Sequence, residues 1–269
     1  MEMSLLIRHQ LMRLSCPRVM AIINFSPDSF YTSCDVSCES ALLSYVEGVL
    51  ASGADILDLG ACSTRPGSVP VDAATEWRLL QQGLDMIRHH WSEVPISVDT
   101  FRAEIAEQAL ACGADIINDV SGAQADPRIW DIAAKYHAPY ILTHAQPVGE
   151  HAMAEVLDFL QRQMDGLHRR GVADVIVDPG FGFGKTVEQN YALLRQLEVL
   201  QHLHAPVLVG VSRKSMLYKP LQTTPDDALA ATVAANTMAL ERGANILRVH
   251  DVAAARQAIQ IHQLTHPCP

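Results

Sequence analysis

Eight polar segments carry residue types that suit a flat heterocycle and a phosphate, and each directly follows an apolar run. Asn24 opens Ser26-Pro27-Asp28-Ser29, and Asp58 precedes Ser63-Thr64-Arg65-Pro66-Gly67. Then come Asp99, Asn118-Asp119, His144, Asp178, Ser212-Arg213-Lys214, and Arg248 with His250. Asp99, Asn118 and Asp178 offer carboxylates and an amide, the partners of amino groups and ring N–H donors on a nitrogen-rich heterocycle. Arg65, Lys214, Arg248 and His250 offer cationic donors, and a guanidinium matches phosphate oxygens two at a time. A ligand with a heteroaromatic end and a phosphorylated end uses both groups. Taken singly, an Asp or Asn at such a place is a helix N-cap or a turn residue. Their recurrence at successive exits points to one shared site.

Bringing these exits to one place requires a repeated scaffold. The apolar runs are 19–25, 55–59, 96–98, 115–120, 140–143, 175–177, 207–211 and 246–249. They are short, β-branched and continuous rather than alternating, as strands buried on both faces of a parallel sheet are. Between them Leu42, Tyr45, Val46 and Val49; Trp77, Leu80, Leu84 and Ile87; Ile129, Ile132, Ala133 and Tyr136; and Leu157, Leu160, Met164 and Leu167 recur at helical spacing. Weaker helical patterns follow Asp99, Asp178, Ser212 and His250. Gly53-Ala54-Asp55-Ile56, Gly113-Ala114-Asp115-Ile116 and Gly243-Ala244-Asn245-Ile246 mark helix-to-strand junctions, with a left-handed glycine expected just past each helix. The repeat predicts an α/β fold, a (β/α)8 TIM barrel in a single domain, with its site at the C-terminal ends of the strands. Residues 1–18 form an N-terminal extension and 19–269 the barrel. The 269-residue length suits one such barrel.

Composition narrows the function. Twenty Lys and Arg against thirty Asp and Glu give a formal charge of -10, which opposes nucleic acid and anionic membrane surfaces. The six cysteines are scattered without a zinc-site pattern, which fits a reducing compartment. There is no secretory-type apolar run and no membrane-length segment, so a soluble cytoplasmic protein is expected. Gly180-Phe181-Gly182-Phe183-Gly184-Lys185-Thr186 ends like a Walker A loop, but Pro179 occupies the first glycine position. His89, His90, His202 and His204 read as surface residues, Trp77, Trp91 and Trp130 as packing anchors, and Cys62 as a small strand-end residue.

The motifs Asn24-Phe25-Ser26-Pro27-Asp28-Ser29-Phe30, Ser63-Thr64-Arg65-Pro66-Gly67, Ser97-Val98-Asp99-Thr100, Ile117-Asn118-Asp119-Val120, Asp178-Pro179-Gly180 with the glycine-rich segment after it, Ser212-Arg213-Lys214-Ser215 and Arg248-Val249-His250-Asp251 occur in this order. Together they resemble the dihydropteroate synthase family of pterin-binding barrels over nearly the whole chain. The resemblance implies condensation of a pterin diphosphate with p-aminobenzoate, releasing pyrophosphate. It implies a pterin pocket of Asp99, Asn118, Asp178 and Lys214, with Asp99, Asp178, Lys214 and Asp28 in catalytic roles. It implies diphosphate contacts from Asn24, Thr64, Arg65, Arg248 and His250, a Mg2+ ion beside Asn24, and p-aminobenzoate contacts from Pro66, Phe183, Ser212 and Lys214. A homodimer and sensitivity to sulfonamides belong to the same resemblance. The chain departs from the family pattern at Gly60-Ala61-Cys62, Tyr31-Thr32-Ser33 and Ala145. Those departures leave open a non-catalytic pterin-binding relative, and the shared pocket leaves open a barrel methyltransferase acting on a reduced folate.

Overall fold

The computed structural model describes residues 3–8, 10–25, 38–62 and 71–267. The chain enters through an antiparallel hairpin, β1 (Ser4–Ile7) and β2 (Gln10–Arg13). Strands then alternate with helices: β3 (Arg18–Asn24), α1 (Glu39–Ala51), β4 (Ile56–Gly60), α2 (Ala73–His90), β5 (Ile96–Asp99), α3 (Ala103–Ala111), β6 (Ile116–Asp119) and α4 (Ile129–Tyr136). The second half continues with β7 (Tyr140–Thr143), α5 (Ala152–Arg169), β8 (Val175–Asp178), α6 (Val187–Arg195), β9 (Leu208–Val209), α7 (Ser215–Tyr218), α8 (Leu229–Leu240), β10 (Ile246–Val249) and α9 (Val252–Thr265). Strands β3 to β10 form one eight-stranded parallel sheet in the order β8-β7-β6-β5-β4-β3-β10-β9. A parallel bridge between Val177 and Val207, with Val177 N donating to Pro206 O at 2.8 Å, brings the two edges together. The chain is a (β/α)8 barrel.

The alternation of side chains along each strand decides what lines the barrel. Leu57, Leu59, Val98, Ile117, Leu142 and Val177 pack outward into the core under the helices. Inward, Met20, Ile56, Ile116, Ile141, Ile176, Leu208 and Ile246 make an apolar floor, which Leu5, Ile7 and Leu14 from the N-terminal segment cover. Sequence alone gave that segment no structure. Its four-residue strands are too short to show a period, and they gain stability from capping the barrel floor. Inward positions above the floor carry Asp58, Asp99, Asn118 and Asp178, all buried.

The recurring Gly-Ala-Asp/Asn phrase has a physical basis. Gly53, Gly113 and Gly243 lie at φ of 98°, 99° and 87°, the left-handed region expected past a helix end. Two residues later, each polar side chain accepts a backbone N–H of the neighbouring strand. Asp55 takes Val19 N at 2.8 Å, Asp115 takes Ile96 N at 2.8 Å, and Asn245 takes Val207 N at 2.9 Å. Each repeat therefore turns the chain and ties two strands at the N-terminal end of the barrel. No helix among the described residues is long and apolar enough to cross a membrane. Cys38, Cys62 and Cys112 carry free thiols, whereas Cys16 is disulfide-bonded, which a fully reduced set of cysteines does not anticipate.

Candidate active site

Strand register sets the height of the polar residues. Asn24 pairs with Gly60, Gly60 with Asp99, and Asp99 with Asn118, so four neighbouring strands present one level at their C-terminal ends. On the other side Thr143 pairs with Asp178. Arg248, inward on β10, spans the space between. Its Nε donates to Asp58 Oδ2 at 2.6 Å and its Nη2 to Asp99 Oδ2 at 2.7 Å. Asn118 Nδ2 donates to the same Asp58 carboxylate at 3.1 Å. Burial pushes the Asp99 carboxyl up to about 7, against the pull of Arg248 and with the push of Asp58. The guanidinium is held in its charged form, because the attraction of Asp58 and Asp99 outweighs its own burial.

Across the barrel, Asp178 and Lys214 make the second charged group. Burial raises the Asp178 carboxyl while Lys214 opposes the rise, and Gly180 N donates to Asp178 Oδ1 at 2.7 Å. Burial brings the Lys214 ammonium down to about 8, against the pull of Asp178. Lys214 Nζ donates to Phe181 O and sits 4.7 Å from the centroid of the half-buried Phe183 ring, a cation–π contact at the mouth. Ser212 links the two neighbouring exits: its Oγ accepts His250 N at 3.2 Å and lies 3.1 Å from His250 Nδ1.

The glycine-rich segment frames this side and is not a phosphate loop. Lys185 Nζ donates to the carbonyls of His144, Gly180 and Phe183 at 2.8, 3.0 and 3.1 Å, so the ammonium is spent on holding the loop. Asn190, buried on α6, accepts Gly182 N at 2.7 Å and donates to Thr186 O at 2.7 Å. Gly180, at φ 70°, passes so close to His144 that an added Cβ would stand 1.9 Å from the His144 carbonyl oxygen. Arg213 likewise turns away from the mouth, binding both oxygens of Asp251 at 2.8 Å. Within Ser212-Arg213-Lys214, Ser212 and Lys214 reach the site, while Arg213 also donates to the carbonyls of Pro225 and Asp226 at 2.8 Å.

A second layer supports Asp99. Glu76 on α2 is wholly buried; it accepts Thr100 Oγ1 at 2.6 Å and pairs with Arg102. Arg102 in turn donates to Val71 O at 2.8 Å. The turn after Asp99 is thereby fastened to the segment that leads into α2. Asp28, Thr64, Arg65 and Pro66 lie outside the described residues. The other expected site residues, Asn24, Asp99, Asn118, Asp178, Phe183, Ser212, Lys214, Arg248 and His250, all lie at strand exits around the same end of the barrel.

A family model described as pterin binding enzyme matches residues 20–250. The chain belongs to the pterin-binding enzyme family. A dihydropteroate synthase from Synechocystis is 39% identical over 255 residues, spanning 90% of this chain and 88% of the relative. One from Haemophilus influenzae is 35% identical over 274 residues, spanning 98% and 99%. The Xanthomonas albilineans dihydropteroate synthase solved with 4-aminobenzoic acid matches with a TM-score of 0.91 at 35% identity, covering 100% of both chains. The Yersinia pestis dihydropteroate synthase in complex with a sulfonamide drug matches with a TM-score of 0.93 at 33% identity, covering 99% of this chain and 100% of that one.

This pterin-binding enzyme also uses residues to which the sequence reading gave no role. Asp58 proves to be the shared partner of Arg248 and Asn118. Ser97 Oγ, Thr143 Oγ1 and Asp99 Oδ1 are buried with no hydrogen-bond partner among the described residues. Unmet buried polar atoms cost about 1–3 kcal/mol each, which a hydrogen-bonding ligand offsets. Polar residues at inward strand positions were the available signal, but reading them requires each strand's register. Glu76 and Lys185 gave no such signal, since a helix acid and a loop lysine look alike whether solvated or buried.

Proposed function

We infer that the chain joins 6-hydroxymethyl-7,8-dihydropterin diphosphate to p-aminobenzoate, giving 7,8-dihydropteroate and pyrophosphate in folate biosynthesis. The observation that carries this reading is the set of buried carboxylates held with cations at one end of the barrel: Arg248 bridges Asp58 and Asp99, and Lys214 stands with Asp178. Carboxylates and an amide line the buried part, while cationic groups stand beside them and toward the mouth. Asp99, Asn118, Asp178 and Lys214 hold the pterin: the carboxylates accept from its amino and ring N–H groups, and the donors of Asn118 and Lys214 meet its acceptors. Asn24, Arg248 and His250, with Thr64 and Arg65, hold the diphosphate. Pro66, Phe183, Ser212 and Lys214 receive p-aminobenzoate.

The reaction breaks the bond between the pterin methylene carbon and the diphosphate oxygen, and the electron pair leaves with pyrophosphate. The amine nitrogen of p-aminobenzoate forms the new C–N bond and gives up a proton. Positive charge builds on the pterin as the C–O bond opens, so Asp99 and Asp178, and Asp28 by the same family role, favour the transition state over the ground state. Arg248 and His250 meet the charge growing on the leaving group. No enzyme nucleophile is needed, since the amine is itself adequate. The Asn24 amide oxygen, a hard donor at the strand exit, would hold a Mg2+ ion here. When bound, the ion neutralises leaving-group charge.

The assembly is a homodimer in this reading. Helix α8 carries no charged residue and is apolar on both faces, as a helix covered from two sides is. Met238 is 51% exposed and Tyr191 on α6 is 40% exposed; they line one groove with Leu194, Arg195 and Arg242. Light scattering is expected to give twice the chain mass, and Met238→Glu to give the monomer. A monomeric parent chain excludes the dimer. The reading also places the chain in the cytoplasm, which the free thiols of Cys38, Cys62 and Cys112 support and the Cys16 disulfide opposes.

Calorimetry separates a synthase from a non-catalytic pterin binder. p-Aminobenzoate titrated into the chain loaded with Mg2+ and pyrophosphate is expected to release heat with saturation, and titrated into the chain alone to release none. No heat in either arm would favour the non-catalytic reading.

A further inference from the structure

A second set of metal-type ligands stands at the opposite end of the barrel, where α8 and α9 finish. His262 lies in the last turn of α9 and His266 four residues on is its C-cap residue, just past the helix. Glu241, the residue after α8, faces both: its Oε1 lies 3.8 Å from His262 Nε2 and 3.7 Å from His266 Nδ1. Both separations are too long for a hydrogen bond. The two rings are stacked, with centroids 4.7 Å apart and planes 15° apart, so the exposed His266 ring turns to bring its in-plane lone pair onto a shared ion. One ligand atom from each of the three residues falls within 4.8 Å of the others.

Nothing else in the described fold claims His262. Its Nδ1 is buried without a hydrogen-bond partner, and its Nε2 faces the Glu241 carboxylate beyond bonding distance. Thr265 Oγ1 lies 3.0 Å from His266 Nδ1, but that hydroxyl already donates to His262 O at 2.8 Å. The hydroxyl oxygen then accepts from His266 Nδ1–H, and an ion bound at Nδ1 displaces that proton. Ligand atoms around one tetrahedral ion stand about 3.3 Å apart when metal–ligand bonds are about 2.0–2.1 Å. The two Glu241 separations need to close by about half an ångström and the widest separation of the set, up to 4.8 Å, by up to about 1.5 Å, and the Glu241 and His266 side chains are exposed, at 45% and 57%.

We propose that Glu241, His262 and His266 bind one divalent transition-metal ion of the Zn2+, Co2+, Ni2+ or Cu2+ class, with water completing its coordination. Two imidazoles and a carboxylate suit these borderline ions, whereas Mg2+ prefers an all-oxygen octahedron. The site is therefore chemically distinct from the one beside the diphosphate. Its residues flank β10 in sequence, so the ion clasps the end of α8 to the last turn of α9 and takes no part in turnover.

The test uses the full chain freed of metal by a chelator, titrated with Zn2+ in a calorimeter and with Co2+ by visible absorption. One saturating ion per chain is expected, with a cobalt spectrum of nitrogen–oxygen coordination and a rise in Tm that equal Mg2+ does not produce. Glu241→Gln and His266→Ala, both at exposed positions, are each expected to weaken binding by at least about tenfold, as changes even in groups supporting a metal's ligands do. Dihydropteroate formation by both variants is expected to match the parent. Unchanged affinity in both variants would place the ion on the thiols or the barrel-mouth carboxylates and overturn the proposal. Failure of the parent chain to bind Zn2+ saturably would overturn it too.

Discussion

Arg248→Ala is expected to lower stability by about 3–5 kcal/mol, because truncating one partner of a buried ion pair leaves the other charge uncompensated. Two carboxylates lose their partner here. Asp58 is wholly buried and keeps only the Asn118 amide, and Asp99 is 7% exposed. The loss should read as a lower urea midpoint with an unchanged slope, the signature of altered stability in a two-state transition. It should also shrink with acid. Burial already raises Asp99 to about 7, so below that pH it takes up a proton and the uncompensated charge disappears. Turnover by the folded fraction should show a weaker hold on the diphosphate as well. A urea midpoint within error of the parent at neutral pH would mean that Arg248 does not hold these carboxylates.

Asp99→Asn separates catalysis from stability. The amide keeps the shape, accepts one hydrogen bond and removes the charge that the cationic pterin meets, so kcat should fall about 10²–10³-fold, the range for losing one transition-state stabiliser. The fold should survive. The folded carboxyl lies above its unfolded value of about 3.9, so its ionised form opposes folding above pH about 7, and that opposition fades as the pH falls. The same shift fixes the sign of the pH dependence. If the ionised form is the working one, kcat/KM of the parent should fall as the pH drops through about 7, without unfolding from this group. Asp99→Asn should lack that limb. A variant with parental kcat and the same acid limb would remove Asp99 from the mechanism.

Much of this was legible in the sequence because the barrel repeats. The continuous β-branched runs appear once per unit and the Gly-Ala-Asp/Asn phrases at three of the helix-to-strand junctions, and each phrase has a local job: a left-handed turn and a side-chain bond to the preceding strand. The polar strand exits were legible for the same reason. What linked them was not, since Arg248 meets partners 190 and 149 residues away and only strand register sets that meeting. The N-terminal hairpin stayed hidden because its strands hold four residues each and are stabilised by the barrel floor. Lys185 shows the limit of motif reading: its cationic head is spent on three carbonyls.

The strand exits act together as a synthase site, and turnover tests this most directly. Purified chain with Mg2+, the pterin diphosphate and p-aminobenzoate should form 7,8-dihydropteroate and pyrophosphate in equal amounts, with neither product when one substrate is left out. No product under conditions where a known dihydropteroate synthase turns over, or methyl transfer from methyltetrahydrofolate to a corrinoid partner instead, would contradict it.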